Sequence, residues 1–251
     1  MEYSLKKSLG QHFLKDENVC RKIVDELQHH PFERLLEVGP GAGALTRYLV
    51  KIPSTDFKAV ELDHEKVVFL EQSLPPVRGK LILANFLDID PPFNDAFTVV
   101  GNFPYNISTQ ILFKVLDWKE QVPVVVGMFQ KEVAERAASR EGNKVYGVLS
   151  VLVQVFYKVD YLFDVDSSCF TPPPKVMSGV IRLTRRDDVP KMKSEKAFFT
   201  LVKTAFNQRR KTLRNAVKPL FSADVLKDEL FDKRAEALSV NDFAALTFRM
   251  N

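Results

Sequence analysis

The segment Leu35–Thr46, LLEVGPGAGALT, is the strongest structural signal in this chain. An apolar run ends in a turn that carries Gly39, Gly41 and Gly43, and a helix-like pattern follows. Glycine lets a backbone turn sharply and approach a ligand closely, because no Cβ atom intervenes. The spacing is neither the dinucleotide fingerprint G-x-G-x-x-G nor a P-loop, since no Gly-Lys-Ser/Thr follows. The segment therefore predicts a strand, a tight loop and a helix.

A carboxylate follows at the end of the next predicted strand. Glu61 lies about 20 residues beyond the glycine loop, where Rossmann-like folds place an acidic side chain on ribose hydroxyls. A carboxylate can accept hydrogen bonds from both hydroxyls. The glycine loop, with Glu37 two residues before it, resembles motif I of the S-adenosylmethionine (SAM) methyltransferases. With Glu61 in register, the two features predict a nucleoside-containing cofactor.

Strand and helix patterns alternate through the first half of the chain. Strands are predicted at 34–39, 57–61, 81–84, 97–101 and 122–129, and helices at 17–28, 43–51, 64–73, 107–117 and 131–139. This alternation predicts an α/β fold with a parallel, doubly wound sheet. Two further segments, 148–157 and 179–183, are predicted to be the last strands of the sheet.

Ligands of such sheets bind beyond the carboxyl ends of the strands. Gly39, Glu61, Asn85 and Asn102 all fall there, so we expect them to converge. The amide of Asn85 can hydrogen-bond a base edge, and Phe86 can pack on the base. The alternative for Asn85 is a turn residue at a strand end.

The segment Asn102–Tyr105, Asn-Phe-Pro-Tyr, has the form (Asn/Asp/Ser)-x-Pro-(Tyr/Phe/Trp), the pattern of methyltransferases that act on a planar nitrogen. An adenine N6 lone pair is delocalised into the ring, and acceptors that hold its two hydrogens favour a tetrahedral nitrogen. The side-chain oxygen of Asn102 and the carbonyl of Pro104 are the predicted acceptors. Tyr105 offers a stacking face for an unstacked base. Phe170 is either the second face of that sandwich or an aromatic buried beneath a loop.

Charge is distributed unevenly along the chain. The net charge is +4, but residues 1–180 carry −3 and residues 181–251 carry +7. This asymmetry indicates a basic C-terminal part with an acidic partner. Residues 194–250 are predicted to be helical, with two short helices near 222–230 and 239–249 at the end. A basic helix face in this region would bind phosphates, whereas the alternative is a solvated helix. The predicted RNA-binding residues are Lys203, Arg209, Arg210, Lys211, Arg214 and Lys218, of which Lys203, Arg210, Arg214 and Lys218 are expected along one face.

Several classes of protein are disfavoured by composition. Cys20 and Cys169 are far apart and outside any C-x-x-C pattern, so neither a disulfide framework nor a zinc site is predicted. No apolar signal segment or run of 18 apolar residues is visible. We therefore expect a cytoplasmic enzyme without a metal ion and without a membrane span.

Seven segments occur in a fixed order that covers the chain from end to end. They are Gly10–Leu14, Glu37–Gly43, Glu61–Asp63, Asn102–Ser108, Phe129–Ala134, Phe170–Val176 and Ala205–Leu213. As a set they resemble the KsgA family of small-subunit rRNA adenine N6,N6-dimethyltransferases. The resemblance implies a class I SAM-dependent methyltransferase domain with a Rossmann-like seven-stranded sheet at residues 1–186. A small helical C-terminal domain that binds rRNA is expected at residues 187–251.

The resemblance also implies an activity. The family dimethylates N6 of two adjacent adenosines in a hairpin near the 3′ end of small-subunit (16S) rRNA during ribosome assembly. SAM would be the cofactor, the small ribosomal subunit and its rRNA the partners, and a monomer the expected state. The residues expected at the cofactor are His12, Leu14, Gly39, Gly41, Gly43, Glu61, Leu62, Asn85, Phe86 and Asn102.

Three positions depart from the family pattern. Asn85 replaces the usual Asp, but its amide oxygen can still accept a hydrogen bond from the cofactor adenine, so we expect SAM binding to survive. Phe103 replaces the usual Leu, a change of shape beside the target base. His12 stands where Asn is common and can fill a similar hydrogen-bonding role.

Three other functions remain as alternatives. A large-subunit rRNA adenine methyltransferase of the erythromycin-resistance type shares this fold and motif order, and the segment at 206–218 favours the small-subunit enzymes over it. DNA adenine methyltransferases usually carry Asp-Pro-Pro-Tyr and a separate target-recognition region, neither of which is present here. A non-catalytic ribosome-assembly factor is disfavoured by the intact Asn102, Pro104 and Tyr105.

Overall fold

The structure, a computed structural model, describes residues 12–251. Gly10 and Gln11 of the first family-like segment lie outside the described residues. By its internal contacts the chain divides into two compact units. The first contains the chain up to Ala134 together with Asp160–Arg185, and the second contains Glu135–Val159 and Arg186–Asn251. The predicted functional boundary between residues 186 and 187 stays a prediction, since contacts alone do not assign functions.

A seven-stranded sheet carries the fold. Its strands are β2 (Arg34–Val38), β3 (Asp56–Glu61), β4 (Leu81–Leu83), β5 (Thr98–Asn102), β6 (Val124–Gln130), β7 (Tyr157–Val165) and β9 (Ser178–Arg185). Their order in the sheet is β4-β3-β2-β5-β6-β9-β7. The neighbours from β4 to β6 are parallel, and β9 is antiparallel to β6. The predicted α/β fold with a largely parallel sheet is confirmed.

Helices of the first part of the chain follow the strands as predicted. They are α1 (Glu17–Gln28), α2 (Thr46–Leu49), α3 (His64–Ser73), α4 (Ser108–Asp117) and α5 (Lys131–Ala138). Asp16 begins α1, because its carboxylate accepts hydrogen bonds from the amides of Asn18 and Val19 at 2.8 and 3.1 Å. Asp63 begins α3 in the same way through the amide of Glu65 at 3.2 Å.

The central strands are buried because helices cover both faces of a doubly wound sheet. β6 reads VVVGMFQ, and all of its residues except the last are buried. Such a strand shows a continuous apolar run rather than an alternation, and the run at 122–129 was predicted correctly for this reason. A small second sheet pairs β1 (Phe13–Leu14) antiparallel with β8 (Phe170–Thr171).

The prediction of a strand at 148–157 is wrong. Residues Val148–Gln154 form helix α6, and the next strand begins only at Tyr157. Every residue from Leu149 to Val153 is buried. The periodicity that separates a helix from a strand is absent when all sides of an element are buried, and the valines then favoured a strand.

The second unit is mostly helical. It contains α6, α7 (Glu195–Asn207), α8 (Leu213–Ala216) and α9 (Val240–Leu246), with short 3-10 turns between them. Ser194 caps α7 through the amide of Ala197, and Ser239 caps α9 through that of Asp242. The segment predicted as a helix near 222–230 consists of 3-10 turns at Val225–Lys227 and Glu229–Asp232.

Candidate functional site

A cavity of about 240 Å³ opens beyond the carboxyl ends of β2, β3, β4 and β5. Nine of the ten residues predicted at the cofactor line it, namely His12, Leu14, Gly39, Gly41, Glu61, Leu62, Asn85, Phe86 and Asn102. Asn102, Pro104 and Tyr105, three of the predicted catalytic residues, line the same cavity. The convergence expected from the strand ends is therefore present in the structure.

The glycine loop turns through backbone conformations that favour glycine. Gly39, Gly41 and Gly43 have φ angles of +69°, +58° and +80°. The amide of Gly39 still bonds to the carbonyl of Val60 at 2.9 Å, so the loop starts in register with β3. Gly43 does not line the cavity, and a Cβ atom there would lie 2.8 Å from Cδ2 of Leu70. The role of Gly43 is thus the close packing of the loop against α3.

Glu61 is held at the end of β3 by two backbone amides. Its Oε2 accepts from the amide of Gly41 at 3.1 Å, and its Oε1 accepts from the amide of Asp63 at 3.0 Å. The side chain is buried, but it forms part of the cavity wall. A carboxylate has about four acceptor positions. Two are therefore left for a ligand, as a ribose diol requires.

Glu37 is a second carboxyl group in the cavity wall, and it is more deeply buried. Its Oε2 has no hydrogen-bond partner among the described residues. Burial raises the pKa of Glu37 from 4.5 to about 8, and the nearby charge of Glu61 adds to this shift, whereas contacts with Thr46 act in the opposite direction. The ligand-free cavity therefore contains a carboxyl group that is largely protonated at neutral pH.

The raised pKa of Glu37 predicts a pH dependence of stability. Between pH 4.5 and about 8 the folded protein keeps a proton that the unfolded chain has released, so stability falls as pH rises through this window. We expect Glu37→Gln to remove this slope and to stabilise the ligand-free protein at pH 8. Free energies of unfolding of both proteins, measured in denaturant from pH 5 to 9, check this. Parallel curves for the two proteins would contradict it.

Asn85 and Phe86 follow β4 and have structural partners of their own. The amide nitrogen of Asn85 donates to Asp88 at 2.7 Å, and its oxygen accepts from the amide of Leu87 at 3.2 Å. Asn85 is thus a turn residue and a cavity residue at once, with one acceptor position left on its oxygen. Phe86 is 4% exposed, and its ring meets Trp118 edge-on at 5.1 Å. Phe86 therefore forms a wall of the cavity and is not a freely exposed stacking surface.

The side-chain amide of Asn102 is oriented by the segment that precedes α1. Its Nδ2 donates to the carbonyl of His12 at 3.3 Å. Because a carbonyl cannot donate a hydrogen bond, Oδ1 does not bond to this group and keeps its capacity as an acceptor. His12 in turn bonds through Nδ1 to the carbonyl of Pro172 at 2.9 Å. These contacts connect the N-terminal segment to the predicted catalytic loop.

Pro104 and Tyr105 are also held in place. The carbonyl of Pro104 accepts from the amide of Ile107 and from the hydroxyl of Ser108, each at 3.2 Å. These two bonds compete with its predicted role as an acceptor for a substrate amine. The hydroxyl of Tyr105 hydrogen-bonds to that of Ser178, and burial raises the pKa of Tyr105 while this bond lowers it. Tyr105 is therefore a neutral, fixed ring at the cavity.

Two aromatic residues are placed differently from the predictions. Phe170 is 1% exposed and does not line the cavity, because β8 inserts its ring into the core beside Leu14. The structure thus supports the alternative of a buried aromatic beneath a loop and not an open stacking face. Phe103 lines the cavity but is also 1% exposed, and its ring packs against that of Phe129 with 4.8 Å between the ring centroids.

The basic residues of the second unit do not form one helix face. The helix α7 ends at Asn207, and α8 starts only at Leu213. The prediction that Lys203, Arg210, Arg214 and Lys218 share a face is therefore wrong. Lys203, Arg210, Lys211 and Lys218 are exposed.

Arg209 and Arg214 have partners inside the second unit. Arg209 pairs with Glu236 at 2.7 Å, and Arg214 pairs with Asp232 at 2.8 Å and donates to the carbonyl of Leu226. These arginines therefore stabilise the unit, whereas the four exposed residues are open to solvent.

Phe13 and Lys66 are among the cavity residues that were not predicted from the sequence. Phe13 lines the cavity, and its ring lies 3.4 Å from the position that a Cβ atom on Gly41 would take. Lys66 also lines the cavity, is buried, and has its Nζ 5.3 Å from the centroid of the Phe13 ring. Lys66 follows the capping residue Asp63 by three positions and so lies in the first turn of α3. This spacing could have been used to predict that Lys66 lies near the end of β3.

The part of the chain that the structure describes, residues 12–251, includes neither a membrane-spanning helix nor a metal-binding cluster. No helix in this part of the chain is long and apolar enough to cross a membrane. No group of three His, Cys, Asp or Glu side chains in it is arranged to hold a metal ion.

Comparison with known proteins indicates the same kind of activity as the motifs that line the cavity. The family model for ribosomal RNA adenine dimethylase matches residues 2–248. A ribosomal RNA small subunit methyltransferase A from Cytophaga hutchinsonii is 52% identical over 246 residues, which cover 96% of this chain and 95% of the relative. The protein of the same name from Flavobacterium johnsoniae is 50% identical over 246 residues, which cover 96% and 94%.

Solved structures share the fold. A dimethyladenosine transferase from Plasmodium falciparum has a TM-score of 0.80 and 25% identity, covering 92% of this chain and 94% of that one. The 23S rRNA methyltransferase ErmE has a TM-score of 0.75 at 22% identity, covering 95% and 99%. At this identity the second likeness supports the fold alone.

Proposed function

This chain belongs to the ribosomal RNA adenine dimethylase family, and from this premise we propose that it dimethylates N6 of two adjacent adenosines near the 3′ end of small-subunit rRNA, with SAM as methyl donor. The observation that carries the proposal is a single cavity lined by the glycine loop, by Glu61 and by the Asn102–Tyr105 loop. A nucleoside-binding half and an amine-binding half are thus adjacent.

Three features of the cavity fit SAM. Glu61 keeps two acceptor positions for the ribose hydroxyls. Glu37 offers a buried oxygen without a partner among the described residues, and a methionine ammonium group beside it would lower its pKa and favour the ionised carboxylate. Phe86 and Leu62 provide apolar surface for an adenine ring. When bound, SAM supplies a methyl group that its sulfonium has already activated.

The protein's own contribution is to position and desolvate the target amine. Oδ1 of Asn102 accepts one N6 hydrogen, because its Nδ2 is already directed to the carbonyl of His12. The carbonyl of Phe103 accepts no hydrogen bond from the described residues. That of Pro104 accepts from the amide of Ile107 and shares the hydroxyl proton of Ser108 with the carbonyl of Tyr105. We therefore assign the second N6 hydrogen to Phe103 in preference to Pro104. Tyr105, fixed by Ser178, stacks on the base.

The decisive experiment measures methyl transfer from labelled SAM to under-methylated small subunits, with large-subunit rRNA and DNA as parallel substrates. Label in N6,N6-dimethyladenosine at two adjacent positions of the small subunit is expected. Label on large-subunit rRNA alone would indicate the resistance-type activity instead. Tight binding to the small subunit without label would indicate an assembly factor. We expect the enzyme to act in the cytoplasm, where ribosomes are assembled.

Binding of rRNA is proposed to involve the four exposed basic residues of the second unit. Each phosphate contact releases counterions and so makes the fall of log affinity with log salt concentration steeper. Replacing Lys203, Arg210, Lys211 and Lys218 together by Gln is therefore expected to reduce the magnitude of this negative slope by about 3. Binding to small subunits, measured between low and physiological salt, checks this.

Two controls accompany the salt experiment. Lys227 is also exposed in this unit but already pairs with Asp224 at 2.8 Å, so Lys227→Gln should leave the slope nearly unchanged. Arg214→Gln should lower the melting temperature because it removes an ion pair within the unit. An unchanged slope in the fourfold variant would place the rRNA contacts elsewhere.

A further inference from the structure

Gly101 and Gly127 leave a gap between side chains on the sheet, here called the notch, next to the Asn102–Tyr105 loop. They are direct register partners between β5 and β6, so two neighbouring strands lack side chains at the same level. Residues two apart in a strand share a face, which places Phe103 and Phe129 on the face of these glycines. The rings of Phe103 and Phe129 lie 4.8 Å apart at 50°, and both are buried. The notch is therefore filled by aromatic rings.

The fit between Phe103 and Gly127 leaves no room for a methyl group. A Cβ atom on Gly127 would lie 2.1 Å from Cε2 of Phe103 and 2.8 Å from Cε2 of Phe129. Ordinary contacts of such an atom begin near 3.4 Å. The Phe103 ring would therefore have to move by more than about 1 Å, a displacement that can itself be costly at a reacting centre.

Phe103 is the residue between Asn102 and Pro104, so a shift of its ring moves the loop. Its amide bonds to the carbonyl of Met128 at 3.1 Å, directly after the pair Asn102–Met128 that ends the β5–β6 ladder. The backbone hydrogen bond of Phe103 and the packing of its ring together fix the position of the loop relative to the sheet. The orientation of the Asn102 side chain then depends on how far the Phe103 ring is inserted towards Gly127.

We propose that Gly127 is a positioning residue for the methyl transfer: its missing side chain admits the Phe103 ring into the notch and so places Asn102 at the target amine. This inference rests on the proposed function for its catalytic readout. The atoms nearest to a Cβ atom on Gly127 belong to Phe103 and Phe129, with Phe103 at the shorter distance, and Gly127 does not line the cavity.

Kinetics of three variants test the proposal. Gly127→Ala is expected to lower kcat for rRNA methylation about 100-fold, because the amine acceptors shift by an ångström. The Kd for SAM should change less than about threefold, since Glu37, Glu61 and Phe86, which are proposed to contact the cofactor, lie at the ends of β2, β3 and β4. Phe103→Leu shortens the side chain, keeps the backbone carbonyl and lowers kcat less than Gly127→Ala. The double variant Phe103→Leu/Gly127→Ala should recover kcat at least about tenfold over Gly127→Ala, because the smaller side chain makes room for the methyl group.

A second buried glycine of the sheet provides the matched control. A Cβ atom on Gly179 would meet the hydroxyl of Tyr161 at 2.5 Å, so Gly179→Ala also crowds the sheet but does not touch Phe103. Phe103→Leu should give no rescue there. If Gly127→Ala does not fold, the double variant compared with Phe103→Leu provides the same test, and kcat values within about fivefold of each other support the proposal.

The outcomes separate this inference from the proposed function. Wild-type kcat in Gly127→Ala, or a double variant no faster than Gly127→Ala, would overturn it while the wild-type enzyme remains active. A wild-type protein that methylates no rRNA would overturn the proposed function instead. In that event, crystal structures of Gly127→Ala and the double variant still decide the inference, since the Asn102 amide should be displaced in the first and restored in the second.

Discussion

Replacing Asn102 with alanine is expected to lower kcat for methyl transfer by about 1000-fold, while the protein stays folded. Oδ1 of Asn102 is the acceptor that its amide orientation leaves for the substrate amine, because Nδ2 donates to the carbonyl of His12. Without this acceptor the N6 lone pair stays delocalised, and the amine is not held in line with the activated methyl group.

The fold should tolerate this change because Asn102 is the last residue of β5 and is only partly buried. Melting temperature and the Kd for SAM are expected to stay near the wild-type values. Asn94→Ala, the same chemical change on an exposed loop residue before β5, is the control and should keep full activity. Near wild-type kcat in Asn102→Ala would contradict the assignment of this residue.

Asn102→Asp separates the two roles of the amide. Aspartate offers acceptor oxygens but cannot donate to the carbonyl of His12, so its orientation is no longer held. We expect kcat of this variant to lie between those of the wild type and Asn102→Ala. A value equal to that of Asn102→Ala would show that the bond to His12 is indispensable.

The second large effect is expected on the cofactor. Glu61→Gln should weaken binding of SAM about 100-fold, because two hydrogen bonds to a charged acceptor are lost or weakened. In addition, the glutamine NH2 group would face the amide of Gly41 or that of Asp63, which both donate to Glu61. The glycine loop itself is therefore expected to loosen.

Calorimetric titration with SAM and with S-adenosylhomocysteine measures this effect. Both molecules carry the same ribose, so the two Kd values should rise by a similar factor. Glu33→Gln is the matched control, since Glu33 precedes β2 at the opposite end of the strand and its side chain is 83% exposed. A change confined to SAM would show that Glu61 acts on the sulfonium and not on the ribose.

The sequence predicted the elements whose signals are local. The sheet strands up to β6 and the helices α1, α3 and α4 occur where they were expected, because each has its own apolar pattern. The helices α1 and α3 also begin at a capping aspartate. The cavity residues could also be predicted, since parallel strands end at one edge of the sheet. The dimethylase family followed from motifs in a fixed order, and the comparisons confirm it.

The errors share a different cause. The segment 148–157 is apolar except at Ser150 and Gln154, and its helix is chosen by burial on all sides and not by its own pattern. Phe170 and Phe103 belong to motifs whose positions suggested contact with a base, but both rings are inserted into the core. Whether an aromatic side chain near a site points to the ligand or to the core depends on which neighbouring positions leave space.

Local sequence was thus sufficient for the strands and helices up to α5, for the glycine turn and for the family, because these depend on neighbouring residues and on spacing along the chain. Packing between distant residues decided the rest. Gly127 admits the Phe103 ring, the carbonyl of His12 orients Asn102, and Glu236 pairs with Arg209. Each of these pairs is separated by more than twenty residues in the chain, so its geometry exists only once the chain has folded.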